Sequence, residues 1–306
     1  MGANQQYKSS VFADYLTEAG TNNSRLLEIS QATGIVPEGS HPTIEVNTLK
    51  DVLFMDRIND VSFTVDGKMV VLIEHQSTVN ANMPLRMFLY LGRLYEKILN
   101  TSSVYKKRLI PIPTPEFVVF YNGIEKQDTK WVQQLSDAFI DKTATPELEL
   151  KVTTWNINYD EDLEILKRSK SLRDYSYFVK KVREFKSTGV TLDQAIKEAI
   201  DICVKQDVMK TYLQTNGSEV INMLNAEWNM DEALRIRGEE ERAEGKAEGK
   251  AEGQKEMAAL LSAVFTWVRD KFGLEKASEM MDNPDERDAY MAEFKNSPEY
   301  NRLMGA

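Results

Sequence analysis

The chain has 306 residues, 42% of them hydrophobic, and carries 48 acidic against 38 basic side chains for a net charge of −10. That length favours about two domains and that composition allows a real core. No apolar run approaches the ~18 residues that a membrane span requires, and the single cysteine, Cys203, excludes an intramolecular disulfide. The opening MGANQQYKSS lacks the layout of a secretory leader. MGANQQ also lacks the hydroxyl residue at its sixth position that myristoylation requires. A reduced core thiol and no span give an expected cytoplasmic location. Only His41 and His75 are histidines, so a Cys/His zinc site is excluded. A bound metal would be held by oxygen, which means magnesium, manganese or calcium.

Residues Tyr7 to Ala19 have helical spacing, with Val11, Phe12, Tyr15 and Leu16 on one side. Asn22, Asn23 and Ser24 offer a cap for a second helix bearing Leu26, Leu27 and Ile29 and stopping at Gly34. Glu28 lies within it. Pro37 to Pro42 reads as a loop, with His41 solvated. Thr48 to Met55 is apolar and predicts a strand, with Asp51 and Asp56 close by.

Asn59 to Gln76, NDVSFTVDGKMVVLIEHQ, predicts a hairpin around Asp66-Gly67. Val61, Phe63 and Val65 alternate before the turn. Met69 to Ile73 is apolar throughout, as in a strand buried on both faces. That strand ends in Glu74, His75 and Gln76, and a carboxylate there needs a charged partner. Glu74 and Gln76 share a face, and His75 points the other way. A three-residue loop Val65-Asp66-Gly67 sets Asp60 opposite Leu72 and diagonal to Glu74. A strict two-residue turn reverses Asp60. The first geometry is the expectation, because two carboxylates and an amide around one point make a hard-cation site.

A helix follows from Pro84 to Leu99, with Leu85, Phe88, Leu89, Leu91, Leu94, Tyr95 and Ile98 as its apolar face. Arg86, Tyr90 and Arg93 share another face. Leu109 to Pro115 is extended, and Glu116 to Tyr121 is a buried strand stopped by Asn122-Gly123. Trp131 to Phe139 predicts a short helix. Leu148 to Tyr159 alternates, as a strand at the sheet edge would. The α/β core, a mixed sheet flanked by helices, thus spans residues 1–160.

A helical subdomain, 161–230, is expected next, with a helix capped by Thr191 and further helices at Val208–Leu213 and Val220–Leu224. Residues 231–256 hold the low-complexity GEEERAEGKAEGKAEGQKE, which has no apolar face and reads as a solvated helix or a tether. Residues 257–306 predict one amphipathic helix and two short ones around Leu274–Met281 and Asp285–Phe294. So small a unit suggests a partner surface, with a homo-oligomer as the expectation.

The net charge is awkward for a nucleic-acid partner. Two zones run against it, Arg86 to Arg108 and Glu164 to Lys186, and could line a cleft on an acidic body. Solvated helix faces are the competing reading.

The pattern Asn59-Asp60 … Glu74-His75-Gln76 resembles the signature of the PD-(D/E)xK nuclease superfamily, with Asn for its Pro and Gln for its Lys. The strings IEHQS (Ile73–Ser77), MPLRMFLYLGRLYE (Met83–Glu96) and FVVFYNG (Phe117–Gly123), in that order, resemble the Rpn family of recombination-promoting nucleases, also labelled transposases. The resemblance implies a restriction-endonuclease-like fold and an all-helical C-terminal region. It implies a magnesium-dependent endodeoxyribonuclease acting on DNA, in recombination, mobile-element or phage-defence biology. Asp60, Glu74 and the His75 carbonyl would then hold the metal, with Glu28 as the residue matching an acidic helper on the first core helix. Gln76 would stand where the family's lysine steadies water or phosphate. Arg86, with Tyr90 and Arg93 on its face, would meet DNA. The alternatives are an Arg86 ion pair with Glu74 or Asp60 that neutralises the cluster, an inactive DNA-binding member, and a structural adaptor.

Overall fold

The computed structural model describes residues 10–47, 61–99, 105, 107–143 and 145–304. The expected strand Thr48–Met55 and the acids Asp51, Asp56 and Asp60 lie outside them. In chain order the helices are α1 (Val11–Leu16), α2 (Ser24–Thr33), α3 (Met83–Ile98), α4 (Glu164–Arg168), α5 (Lys170–Ser187), α6 (Leu192–Lys205), α7 (Lys210–Phe272), α8 (Leu274–Asp282), α9 (Pro284–Lys295) and α10 (Pro298–Met304). The strands are β1 (Ile44–Val46), β2 (Val61–Val65), β3 (Met69–Gln76), β4 (Thr114–Tyr121), β5 (Lys130–Gln134) and β6 (Lys151–Asn156).

The strands form a mixed sheet in the order β1-β2-β3-β4-β6-β5. β1, β2 and β3 pair antiparallel, β3, β4 and β6 pair parallel, and β5 returns antiparallel on β6. A parallel β3–β4 pair needs a crossover, and α3 supplies it. The expected α/β architecture with a mixed sheet, flanking helices and a helical C-terminal region is the one observed.

Strand alternation divides the core into two layers. Val71 and Ile73 of β3 join Phe63, Val118 and Phe120 against α1, α2, α5 and α6. Val70 and Leu72 join Phe117, Val119 and Val152 against α3. β3 is thus buried on both faces, as its apolar run predicts.

The hairpin loop has three residues, but one step later than expected. Val65 pairs with Met69, which leaves Asp66, Gly67 and Lys68 in the loop. Asp66 and Gly67 are both left-handed, with φ of 51° and 62°. An Asp-Gly pair tolerates that conformation at low cost. Leu72 therefore faces Ser62 rather than Asp60. An even register sum is retained, so odd and even residues keep the faces expected of them.

Three other elements differ from expectation. β5 and a 3₁₀ turn, Leu135–Ala138, replace the predicted helix at 131–139. The near-fourfold spacing of Trp131, Leu135 and Phe139 imitates a helix, but pairing with β6 decides the matter. β6 is consequently an inner strand, with β5 outside it. On α3 the buried residues are Met83, Met87, Tyr90 and Leu94, whereas Leu85, Phe88, Leu89 and Ile98 are exposed. The sequence pattern alone fixed a broad apolar arc; contact with the sheet selects one stripe of it.

The chain divides into compact units Met1–Asp231 and Glu232–Ala306. In the first, residues of α4, α5, α6 and the start of α7 share one core with the sheet, so the layer expected from residue 161 onward is part of that unit. Thr191 caps α6 as expected, its hydroxyl accepting from the Gln194 amide at 3.2 Å. Cys203 is buried in that core, and burial pushes its thiol up to about 12. The helix expected at 208–213 starts only at Lys210, and it, the one expected at 220–224 and the low-complexity segment are parts of α7. In the second unit Leu260, Val264, Val268, Ala277, Met280 and Phe294 form a separate small core.

Candidate active site at the end of β3

β3 leaves the core with three polar residues, and alternation sends them to different surroundings. Glu74 points to the α3 side. It is only 5% exposed, and Arg86 on the first turns of α3 meets its carboxylate through a guanidinium nitrogen. The same guanidinium donates to the Tyr90 hydroxyl at 3.1 Å, one helical turn on. Tyr90 is buried beneath α3, so its expected place on a DNA-facing surface is corrected to a support for Arg86. Arg93 is half-buried on the same helix.

Gln76 follows Glu74 on this face. Its side-chain amide nitrogen lies 2.6 Å from the Met83 sulfur, at the first residue of α3. Its backbone carbonyl accepts from Asn122 at 2.8 Å. The peptide groups of Gln76 thus point toward β4, and alternation turns the His75 carbonyl toward the β2 side.

The β4 terminus is drawn tight against this point. A Cβ added to Gly123 would sit 2.0 Å from the Ser77 carbonyl oxygen and 2.4 Å from the Tyr121 hydroxyl. Only glycine allows that approach, which explains the last letter of FVVFYNG. Arg183 of α5 holds the same turn, donating to the Asn122 side chain at 2.9 Å, to Asn158 at 3.0 Å and to the Asn122 carbonyl. Asn122 and Arg183 were not expected at the site. The signal for Asn122 was the Asn-Gly stop after a buried strand; Arg183, 61 residues away, had none.

His75 points to the other layer. Its ring stacks on Phe12 at 4.8 Å and 19°, and Tyr175 stands edge-on at 5.4 Å. The Tyr175 hydroxyl is 3.5 Å from Nε2. Burial, with the positive charge of Arg183 second, lowers the imidazole from 6.5 to about 3. It is neutral at ordinary pH and packs against the aromatic edge of the core.

Glu28 also has work in that layer. Its carboxylate accepts from Ser169 Oγ and the Ser171 backbone amide at 2.8 Å each, and from Ser171 Oγ at 3.0 Å. These groups form the N-terminus of α5, where a negative charge meets unsatisfied N–H groups and the positive end of the helix dipole. The structure thus brings Glu74, Gln76 and Arg86 together and places Glu28 and the His75 ring elsewhere. Among the described residues no three His, Cys, Asp or Glu side chains form a group able to hold a metal ion. Asp60 lies outside them, immediately before Val61, which pairs with Ile73.

Residues 46–210 match the model of the family described as "Putative transposase, YhgA-like". The chain belongs to this family. It is one of the Rpn, PD-(D/E)xK-like families, and the match runs from β1 to the start of α7. The YhgA-like segment therefore contains Glu74, Gln76 and Arg86, while the unit Glu232–Ala306 lies beyond it. No curated protein and no solved structure matches the chain. No helix among the described residues is long and apolar enough to cross a membrane.

Proposed function

We propose that this protein is a divalent-metal-dependent endodeoxyribonuclease whose site lies at the end of β3. The observation that carries the reading is Glu74. In a chain of this family, a carboxylate at the end of a buried strand shares a face with Gln76 and meets a cationic side chain.

The donor chemistry fits a hard cation. Glu74 offers carboxylate oxygen and Gln76 an amide oxygen, with no soft ligand required of either. Asp60 is the proposed second carboxylate. It directly precedes Val61, which pairs with Ile73, the residue before Glu74. Magnesium is the expected ion, with manganese or calcium as substitutes. Bound there, it would polarise the scissile phosphate and lower the pKa of attacking water.

The chain's own residues divide the rest of the work. Glu74 and Asp60 fix the ion. Gln76 orients water by donating and accepting hydrogen bonds, but brings no charge. The positive charge absent at position 76 is carried beside it by Arg86, whose planar fork suits a phosphate. His75 takes no proton in this scheme, because its ring faces the aromatic layer and is neutral.

The test is supercoiled plasmid incubated with Mg²⁺ or Mn²⁺. Wild type should nick or linearise it, and Asp60→Ala and Glu74→Gln should not while still retaining DNA. The Glu74–Arg86 pair favours a second reading, an inactive member whose acidic site is neutralised from within. Salt-sensitive DNA retention without cleavage would support that binder, and neither activity would leave an adaptor. Exposed Phe272, Leu274 and Met281 around the small C-terminal core support homo-oligomer formation through that unit. Light scattering of the full chain against Leu274→Glu tests this, with a lower mass expected for the variant. The buried thiol of Cys203 supports a cytoplasmic setting.

A further inference from the structure

We infer that Arg86 is a latch on the site, holding Glu74 in place of the metal until a DNA phosphate draws it away. This rests on the nuclease reading above. It adds an order of events: cation and Arg86 compete for one carboxylate, and DNA resolves the competition.

Three observations carry it. Glu74 is 5% exposed, so its charge is poorly served by water and strongly served by whichever cation is adjacent. Arg86 is that cation in the present arrangement, and it approaches from α3 rather than from β3. Its own side chain is 21% exposed against 6% for that of Glu74, so of the two partners the arginine is the one within reach of solvent. The Tyr90 hydroxyl, at 3.1 Å from Nη2 and 3.4 Å from Nε, props the fork in position.

A divalent ion entering beside Glu74 must sit near a positive guanidinium or displace it, and either weakens binding. A phosphate offers Arg86 a competing anion that its fork can grip with two donors. DNA should therefore raise metal affinity, and by thermodynamic linkage metal should raise DNA affinity by the same factor. An ion that touches the phosphate would give some reciprocity by itself, so the mark of the latch is tighter metal binding without DNA once the Arg86 charge is removed.

The experiment measures Mn²⁺ binding to the DNA-free full-length protein by electron paramagnetic resonance, for wild type, Arg86→Gln, Arg86→Lys and Glu74→Gln. Arg86→Gln should bind Mn²⁺ about tenfold or more tightly than wild type. Arg86→Lys, which keeps the charge, should stay near wild type, and circular dichroism should show all variants folded. Fluorescence anisotropy of a short DNA duplex with and without Mn²⁺ should show mutual enhancement in wild type that is smaller in Arg86→Gln. If Arg86→Gln binds Mn²⁺ no better than wild type, while Glu74→Gln abolishes binding, the latch is wrong and the nuclease site stands. If no variant binds Mn²⁺ in a Glu74-dependent way, with or without DNA, the nuclease reading fails and takes the latch with it.

Discussion

Two faces of one strand share a sequence and little else. On the α3 side, β3 ends in Glu74 and Gln76 beside a guanidinium and a helix start. On the α5 side, the intervening His75 is enclosed by Phe12 and Tyr175. The α3 face concentrates charge that only another charge or an ion can satisfy. The α5 face removes charge, holding an imidazole neutral by burial. Alternation thus lets a single strand be a structural anchor and a candidate reaction centre without either function compromising the other.

The anchor reaches some distance. Phe12 belongs to α1, a helix of six residues that could not persist alone. The start of α7 secures it: Glu227 accepts from the Val11 amide at 2.7 Å, and the Tyr212 hydroxyl donates to Asp14 at 2.7 Å. The seat of α1 against β3 is therefore set partly by Glu227, 216 residues after Val11.

The comparison breaks most visibly at Glu74. Glu74→Gln keeps the shape and removes the charge, so DNA cleavage should fall by about a thousandfold or more. Urea unfolding should shift as well, because Arg86 loses its buried counter-charge, while the α5 face is untouched. A comparable loss on substituting His75 by Phe would mean that the two faces are not separate in function.

How much of this division could be read beforehand depends on its physical range. The Asp-Gly turn, the buried run after it and the shared face of Glu74 and Gln76 are local, and period-two geometry carries them directly. The loop register was off by one because Asp66 and Gly67 both take left-handed conformations, leaving Lys68 in the loop. The α3 stripe was misjudged because Leu85, Phe88 and Leu89 are as apolar as Met83 and Met87, and only the sheet distinguishes them. The Arg183–Asn122 contact and the Glu28 cap join elements far apart in sequence, and one sequence contains no record of such meetings.

Next in size is Phe12→Ala on the anchoring face. The side chain is fully buried and contacts His75, Phe120 and Tyr175. Its truncation should cost about 3–5 kcal/mol in urea unfolding, a large share of a typical domain's stability. Mn²⁺ affinity of the protein that remains folded should be unchanged. A selective loss of metal binding at full stability would show that the stacked His75 governs the other face.

A smaller effect distinguishes the faces by pH. The folded imidazole titrates near 3 and the unfolded one near 6.5. Above pH 6.5 both states are neutral and the contribution is fully present. Between 6.5 and about 3 the unfolded chain binds a proton that the folded one refuses, so stability falls as pH falls. His75→Phe retains a ring against Phe12 and removes this titration. Urea midpoints measured across the window should therefore decline less steeply in the variant than in wild type. Parallel curves would mean that the imidazole is not held neutral by its surroundings.

The smallest effect is at Glu28, and it sharpens the comparison most because the family resemblance and the geometry pull it in opposite directions. As a helper on the ion, its loss would weaken Mn²⁺ binding. As a cap, its loss leaves the Ser171 amide and two serine hydroxyls without their acceptor and removes a negative charge from the positive end of α5. Glu28→Ala should then lower stability by about 1 kcal/mol, the ordinary worth of an N-terminal cap, and leave Mn²⁺ affinity alone. Glu28→Gln should fall between the two, since its amide oxygen can still accept from Ser171 but carries no charge. That graded loss is the mark of a dipole and hydrogen-bond role. A tenfold drop in Mn²⁺ affinity with unchanged unfolding would instead return Glu28 to the ion, and the two faces of β3 would have to be treated as one site.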